Sequence, residues 1–235
     1  STMGYFKSDK THAHNLIVVN STSASDTNGG IGANKVRLHG LDANFERITK
    51  DITMAGTSDQ TVNHSFSEVN SAEVFKAGGL YCNAGTIKLY NSDGTSSHPQ
   101  CVIGLNYGLS ANPQFCVPKD YVLMIDRISI NSHCEDEAEL IFNYYEWGTV
   151  DGVAQILKKR LNSFNLHSTT NLEHDVEWRL TEGQRFTVSG LTSTTPTGIN
   201  RVAVKVVGVL KKKDLSISSS KTRDSRTSNK RTTQY

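Results

Sequence analysis

The chain has 235 residues, an apolar content of 36% and a formal net charge of +2. This modest apolar content, together with abundant Gly, Ser, Thr and Asn, favours short strands and turns over helices. No run approaches the roughly 18 apolar residues that a membrane span needs. Residues 1–15 also lack the apolar segment of a signal peptide, so we expect a soluble protein that is not exported.

Alternating apolar and polar residues predict a succession of short strands along the chain. The first two form a hairpin, Val36–Gly40 and Phe45–Met54, around a turn rich in Gly, Asp and Asn at residues 40–44. The further predicted strands are Ser65–Phe75, Thr86–Tyr90, Cys101–Leu105, Gln114–Val117, Tyr121–Ile130, Ala138–Trp147, Val153–Leu157, Asp175–Leu180, Arg185–Val188 and Asn200–Leu210. The last is rich in β-branched residues, which predicts a central position in a sheet.

These strands and the scarcity of helical periodicity predict an all-β fold, a jelly-roll-like antiparallel β-sandwich. The sandwich is predicted to span residues 16–210, after an N-terminal arm at 1–15 and before a basic C-terminal tail at 211–235. A division into two β subdomains near residues 95–100 stays open. The tail contains almost no apolar residues, so we expect it to be flexible unless a partner holds it.

The charge is divided unevenly between the sandwich and the tail. Residues 211–235 hold eight basic and two acidic residues, whereas residues 1–210 hold 17 basic and 21 acidic ones. The basic residues of the tail are Lys211, Lys212, Lys213, Lys221, Arg223, Arg226, Lys230 and Arg231. Such asymmetry is typical of an interaction arm, and the sequence leaves open whether its partner is a neighbouring protein or nucleic acid, or whether it has none.

An acidic segment lies between two predicted strands, where a solvated hairpin loop is expected. Its carboxylates are Glu135, Asp136, Glu137 and Glu139. Four carboxylates are also able to collect a hard cation, but we favour the loop. We predict that this acidic loop binds partners, and hypothesise that it pairs with the basic tail of a neighbouring subunit.

The sequence from Asp26 to Gly30 begins like a calcium-binding loop. The later positions at which an EF-hand needs a ligand, a glycine and a bidentate carboxylate hold Gly30, Ile31 and Arg37. The GGIGANK sequence also lacks the glycine spacing of a phosphate-binding loop. We interpret these glycines as a flexible corner that leads into the hairpin, and predict no metal and no cofactor.

Catalytic signatures are equally scarce, since no nucleophile elbow, zinc-protease or kinase motif occurs. The chain is therefore predicted not to be an enzyme. Four cysteines without a CxxC pair are predicted to be reduced and mostly buried. They are Cys82, Cys101, Cys116 and Cys134.

Four phrases in a fixed order resemble a group of largely uncharacterised virion proteins of tailed bacteriophages, many of them marine. The phrases are NSTSASDTNGGIGANKVRLHGLDANFERITKDITMAGT, FSEVNSAEVFKAGGLYCNAGTIKLY, PQFCVPKDYVLMIDRISI and RVAVKVVGVLKK. The resemblance spans residues 16–210 and omits the basic tail. The chain departs from the group in one turn, where Asp120 replaces the usual glycine.

The resemblance implies a β-rich structural protein of a virus particle, assembled in the host cytoplasm. In that role the chain decorates or cements the capsid, or belongs to the neck or tail. Its implied partners are further copies of itself, with a trimer favoured, and other virion proteins such as the major capsid or tail proteins. We expect no membrane partner.

Two alternatives stay open. One is a receptor- or glycan-binding fibre or tail module, for which exposed aromatic residues on one face would be needed. The candidates are Tyr144, Tyr145, Trp147 and Trp178, although strand aromatics more often pack in the core. The other is nucleic-acid contact through the basic tail, which predicts binding that weakens steeply with salt.

Overall fold

A computed structural model of the chain describes residues 15–92, 100–110, 114–151, 153–192 and 200–213, and within these it contains strands and turns but no helix. The strands are β1 Asn15–Ser21, β2 Ala33–Leu41, β3 Arg47–Thr53, β4 Gln60–Phe66, β5 Glu68–Ala77, β6 Ile87–Asn91, β7 Cys101–Ile103, β8 Gln114–Cys116, β9 Tyr121–Val150, β10 Val153–Thr181, β11 Arg185–Thr192 and β12 Asn200–Lys212. All pairings between them are antiparallel, and the sheets pack face to face. The prediction of an all-β sandwich is therefore confirmed.

The first seven strands form two sheets around one hydrophobic core, and we call this unit the first sandwich. One sheet has the order β4-β1-β6-β7 and the other β3-β2-β5. Alternate residues of β2 are buried, as in Val36 and Leu38, and they meet Ile17, Val19 and Leu89 from the facing sheet. The period-2 alternation of the sequence thus places one face of each sheet against the other.

The predicted hairpin is present as β2 and β3, paired from Lys35 with Thr53 to Leu41 with Arg47. In its turn, the side chain of Asp42 accepts hydrogen bonds from the backbone N–H groups of Asn44 and Glu46, at 2.8 and 2.9 Å. Asp is favoured at this position because its side-chain oxygen accepts hydrogen bonds from nearby backbone N–H groups, as a backbone carbonyl does in a turn.

The last five strands form a third sheet, which is dominated by two very long strands. β9 has 30 residues and β10 has 29, and they pair along nearly their whole length. On the other side of β9, β11 pairs with residues 138–145 and β12 with residues 121–134. β11 and β12 therefore lie one after the other along the same edge of β9.

The acidic segment is not a loop, and this part of the prediction is wrong. Residues 135–137 lie inside β9, at a pairing irregularity between Cys134 and Ala138. At the same point the partner of β9 changes from β11 to β12. The two predicted strands on either side are one strand, since an irregularity bends a strand without ending it.

The long ribbon folds back upon itself at this irregularity. Phe142, beyond the bend, lies with its ring centroid 5.4 Å from that of Trp178, which pairs with Ile125 before the bend. Phe142 also lies 5.8 Å from Phe164, and both belong to a second hydrophobic core. One sheet thus supplies both layers of this second core.

β12 occupies a different place from the one predicted. Among the described residues it pairs with β9 alone, so it lies at an edge and not in the centre of its sheet. None of its described side chains is buried. The abundance of β-branched residues indicates a strand, but strand propensity does not distinguish an edge from a centre.

The turn before β9 contains Asp120 in place of the glycine that the resemblance leads us to expect. Asp120 adopts a φ of 63°, at the third position of a turn closed by a hydrogen bond from Tyr121 N to Pro118 O at 3.2 Å. Asp tolerates this left-handed conformation better than most residues, so the turn forms without glycine.

The two cores are linked by a buried polar contact between β5 and β11. Arg185 and Glu68 form an ion pair there, with side chains 7% and 11% exposed. Nearby, Asn70 donates to the carbonyl of Cys116 at 3.0 Å and accepts from its N–H at 2.9 Å. These contacts fix the third sheet to the first sandwich.

Candidate interaction surfaces

A buried carboxylate organises the loop that opens the first sandwich. Asp26 is fully buried, and its Oδ2 accepts hydrogen bonds from Ser21 Oγ at 2.5 Å and from Gly85 N at 2.9 Å. Its Oδ1 accepts from the N–H groups of Ala33 and Ala84, both at 2.7 Å. One side chain thereby ties the start of β2 to the loop before β6.

This arrangement explains why the segment resembles a calcium loop without the chemistry of one. Both oxygens of Asp26 face N–H and O–H donors, whereas a cation needs free lone pairs. The glycines have a definite role as well. A side chain at Gly30 would meet the carbonyl of Ser25, and one at Gly32 would meet Asp26 Oδ1. Close packing, and not only flexibility, therefore requires glycine at both positions.

Two buried asparagines extend the network. Asn34 accepts from Gly29 N at 2.8 Å and donates to the carbonyl of Gly32 at 2.9 Å. Asn83, which is fully buried, donates to the carbonyl of Gly104 at 2.7 Å and accepts from Gly108 N at 3.0 Å. Asn34 therefore fixes the loop at 28–34 internally, and Asn83 joins the loops at 78–84 and 104–110.

Above this network lies an exposed apolar surface, which we call the three-loop surface. Its members are Ile31, Leu80, Tyr81, Leu105, Tyr107 and Leu109, all at least 45% exposed. The three loops contain no charged residue. The backbone joins them directly, since Leu80 N donates to Ile31 O at 2.9 Å and Asn106 N to Asn83 O at 3.3 Å. Clusters of exposed apolar residues commonly mark interaction sites.

Tyr81 combines exposure with an unfavourable backbone conformation. It is 91% exposed and has a φ of 60°. A bulky side chain in this left-handed region costs on the order of 1–2 kcal/mol, and here no packing against the core offsets that cost. An outlier of this kind leads to the hypothesis that Tyr81 serves a function other than stability.

The aromatic residues predicted as candidates behave differently from Tyr81. Tyr145 is buried, and Tyr144 and Trp178 pack against the second core. The side chain of Trp147 lies outside the described part. Tyr81 and Tyr107 were not predicted as candidates from the sequence, because they lie in loops and not in strands. The glycine-rich segments around both are the sequence signal for these loops.

A second candidate surface is the free edge of β12 with the cleft beside it. The cleft has a volume of about 860 Å³ and lies between β12 and the strands β8, β9 and β11. Its lining is almost entirely apolar and includes Leu123, Ile125, Phe186, Val188, Val202 and Val206. On the opposite face of β12, Val207 and Val209 are 41% and 57% exposed. Both faces of this strand therefore present apolar side chains to solvent.

The structure describes the predicted basic residues only as far as Lys213. Lys211 and Lys212 are exposed and belong to β12, and Lys213 Nζ donates to Glu182 Oε2 at 2.8 Å. This contact lowers the pKa of Glu182. Lys221, Arg223, Arg226, Lys230 and Arg231 lie outside the described residues, so the role of the tail stays a prediction.

Of the acidic residues, Glu139 has a described side chain, which pairs with Arg160 Nη1 at 3.4 Å within the chain. The side chains of Glu135, Asp136 and Glu137 lie outside the described part. The structure therefore brings none of the described tail lysines to Glu139.

In the described ranges, no three His, Cys, Asp or Glu residues form a group suited to a metal ion. These ranges also contain no helix that is long and apolar enough to cross a membrane. No protein-family model, no curated protein and no solved structure matches the chain.

Proposed function

We propose that the chain is a non-enzymatic structural protein of a virus particle that works as a homo-oligomer, in the capsid decoration, the neck or the tail. The observation that carries this proposal is the free edge of β12. In the part of the chain that the structure describes, the thirteen residues of β12 pair on one side only, so they offer backbone groups without a strand partner, together with exposed valines. An edge of this kind invites pairing with another chain.

Assembly also accounts for the way in which the rest of the molecule is built. Two cores and a buried ion pair make a rigid unit, which suits a subunit repeated many times in a particle. Many weak contacts between identical subunits add up to a stable assembly. The three-loop surface provides a second apolar contact area on the first sandwich.

The proposal is tested on purified particles from the source of this sequence. Mass spectrometry is expected to find the chain in several copies per particle, and a cryo-EM reconstruction is expected to show it at a symmetric position. The chain should also remain bound through density-gradient centrifugation. Its absence from particles of a strain that expresses it would contradict the proposal.

A second candidate function, receptor or glycan binding, is favoured by Tyr81 and Tyr107. Exposed tyrosines on loops fixed by buried hydrogen bonds are suited to stack on a flat ligand surface. Tyr81→Ala together with Tyr107→Ala would then abolish binding to host cells, whereas Tyr144→Ala would leave the loops untouched. Equal binding by the double variant and the wild type would exclude this function for the three-loop surface.

A further inference from the structure

We propose that the free edge of β12 in one copy pairs with the free edge of β10 in the next copy, so that one sheet continues through the oligomer. The inference rests on the proposed homo-oligomer and names the strands that form it. Both strands pair with β9 alone among the described residues, and they lie on its opposite sides. Each copy thus offers two different edges of the same sheet.

The charges on these two edges are complementary. β12 contains four basic residues and no acidic one, whereas residues 169–181 of β10 contain three acidic residues and one arginine. Lys205 pairs in register with Ser129, which on its other side pairs with Glu173. Lys205 and Glu173 therefore lie on the same face, at opposite edges of the sheet. Opposite charges on neighbouring strands stabilise their pairing.

The same charges disfavour pairing of β12 with a second β12. Two copies of this strand, run antiparallel about their centre, would bring Arg201 near Lys211 of the other copy. Like charges directly opposite each other destabilise a sheet. The acidic edge of β10 is free of this conflict.

Strand direction also suits this contact. β10 and β12 both run antiparallel to β9, and so run parallel to each other. A sheet can then continue from copy to copy about a rotation axis that lies along the strands. Because the two edges differ, the contact is head-to-tail, and it closes into a ring when the rotation permits.

Two charge-reversed variants test the pairing. One carries Lys205→Glu and Lys211→Glu on β12, and the other carries Glu173→Lys and Glu177→Lys on β10. Asp175, which accepts from Arg127 Nε at 2.8 Å, is kept so that the shorter contact of Arg127 survives, whereas the longer one to Glu173 Oε2 at 3.9 Å is lost. The matched control reverses Lys50 and Lys76 of the β3-β2-β5 sheet to glutamate. Molar mass is measured by light scattering after size exclusion, and circular dichroism checks folding.

We expect the wild type and the control to form the same closed oligomer, and each edge variant alone to be a folded monomer. An equimolar mixture of the two edge variants should associate again, in alternating order, because each acidic edge then meets a basic one. The pairing is refuted if both edge variants keep the wild-type mass, or if the wild type is itself a monomer at all concentrations. If the edge variants form oligomers of wild-type mass and the chain is present in particles, the pairing is refuted but the proposed function stands.

Discussion

Arg185 on β11 and Glu68 on β5 form an ion pair that is almost completely buried between the two cores. Burial lowers the pKa of Arg185 to about 9, because a buried site disfavours an isolated charge. The Glu68 carboxylate offsets that cost. The pair therefore couples the third sheet to the first sandwich.

Arg185→Met is expected to destabilise the protein by about 3–5 kcal/mol, since it leaves the Glu68 carboxylate buried without this partner. The double variant Arg185→Met/Glu68→Leu removes both charges and is expected to lose less than the single variant. Free energies of unfolding from urea titration test this order. A double variant that is less stable than Arg185→Met would show that the charges are not coupled.

Asp26→Asn is expected to lower the free energy of unfolding by at least about 2 kcal/mol. The amide nitrogen of asparagine cannot accept a hydrogen bond, so at least one backbone N–H of the Asp26 network loses its partner in a buried site. Asp51→Asn is the matched control. It disrupts a partly exposed pair with Arg37, and should cost no more than about 1 kcal/mol. Similar losses in both variants would argue against the central role of Asp26.

The stability of the folded protein at acidic pH should depend on Glu146. Hydrogen bonds from Lys159 and Gln184 lower the pKa of Glu146 in the folded protein. A carboxyl group with a lowered pKa contributes stability above its unfolded value of about 4.3, and loses it as the pH falls through the folded value.

Glu146→Gln should therefore be less stable than the wild type at pH 7, by up to about 1 kcal/mol, because Lys159 is partly exposed. The difference should disappear near pH 2. Thermal unfolding across this range measures it, and a difference independent of pH would mean that packing and not charge is responsible.

Much of the fold could be predicted from the sequence, because alternation and turn chemistry are local signals. The hairpin at β2 and β3 is an example, since the side chain of Asp42 caps the turn. The continuity of β9 through its acidic segment could not be predicted, because local charge density resembles that of a loop. The pairing of β9 with β10 on both sides of this segment keeps the strand continuous through it.

The buried hydrogen-bond network around Asp26 could not be predicted from the sequence, for a different reason. The bonds of Asp26 to Ala84 and Gly85 join residues 58 and 59 positions apart, and no local pattern announces such a contact. The segments that they join lie in the first two of the four phrases that resemble the virion proteins. The edge position of β12 could not be predicted for the same reason, because it depends on which distant strands pair with β12.

The four cysteines should differ sharply in reactivity. Burial raises the pKa of Cys116 to about 12, and Cys101 and Cys134 are at most 3% exposed, whereas Cys82 is half-buried at the three-loop surface. A disulfide reagent such as DTNB should therefore modify one thiol in the native protein and four after unfolding. Cys82→Ser should leave none to react in the native state, and fast modification of this variant would contradict the buried positions.

Tyr81→Asn is expected to stabilise the protein by about 1 kcal/mol. Asparagine tolerates a positive φ better than tyrosine, and the tyrosine ring is too exposed to contribute much packing. Tyr107→Asn is the matched control, because Tyr107 is also exposed but does not have a positive φ. Urea titration should show a gain for Tyr81→Asn and none for the control. If the gain is accompanied by weaker particle incorporation or weaker host-cell binding, Tyr81 is kept for recognition at the expense of stability; a loss of stability would instead show that its ring packs against the loops.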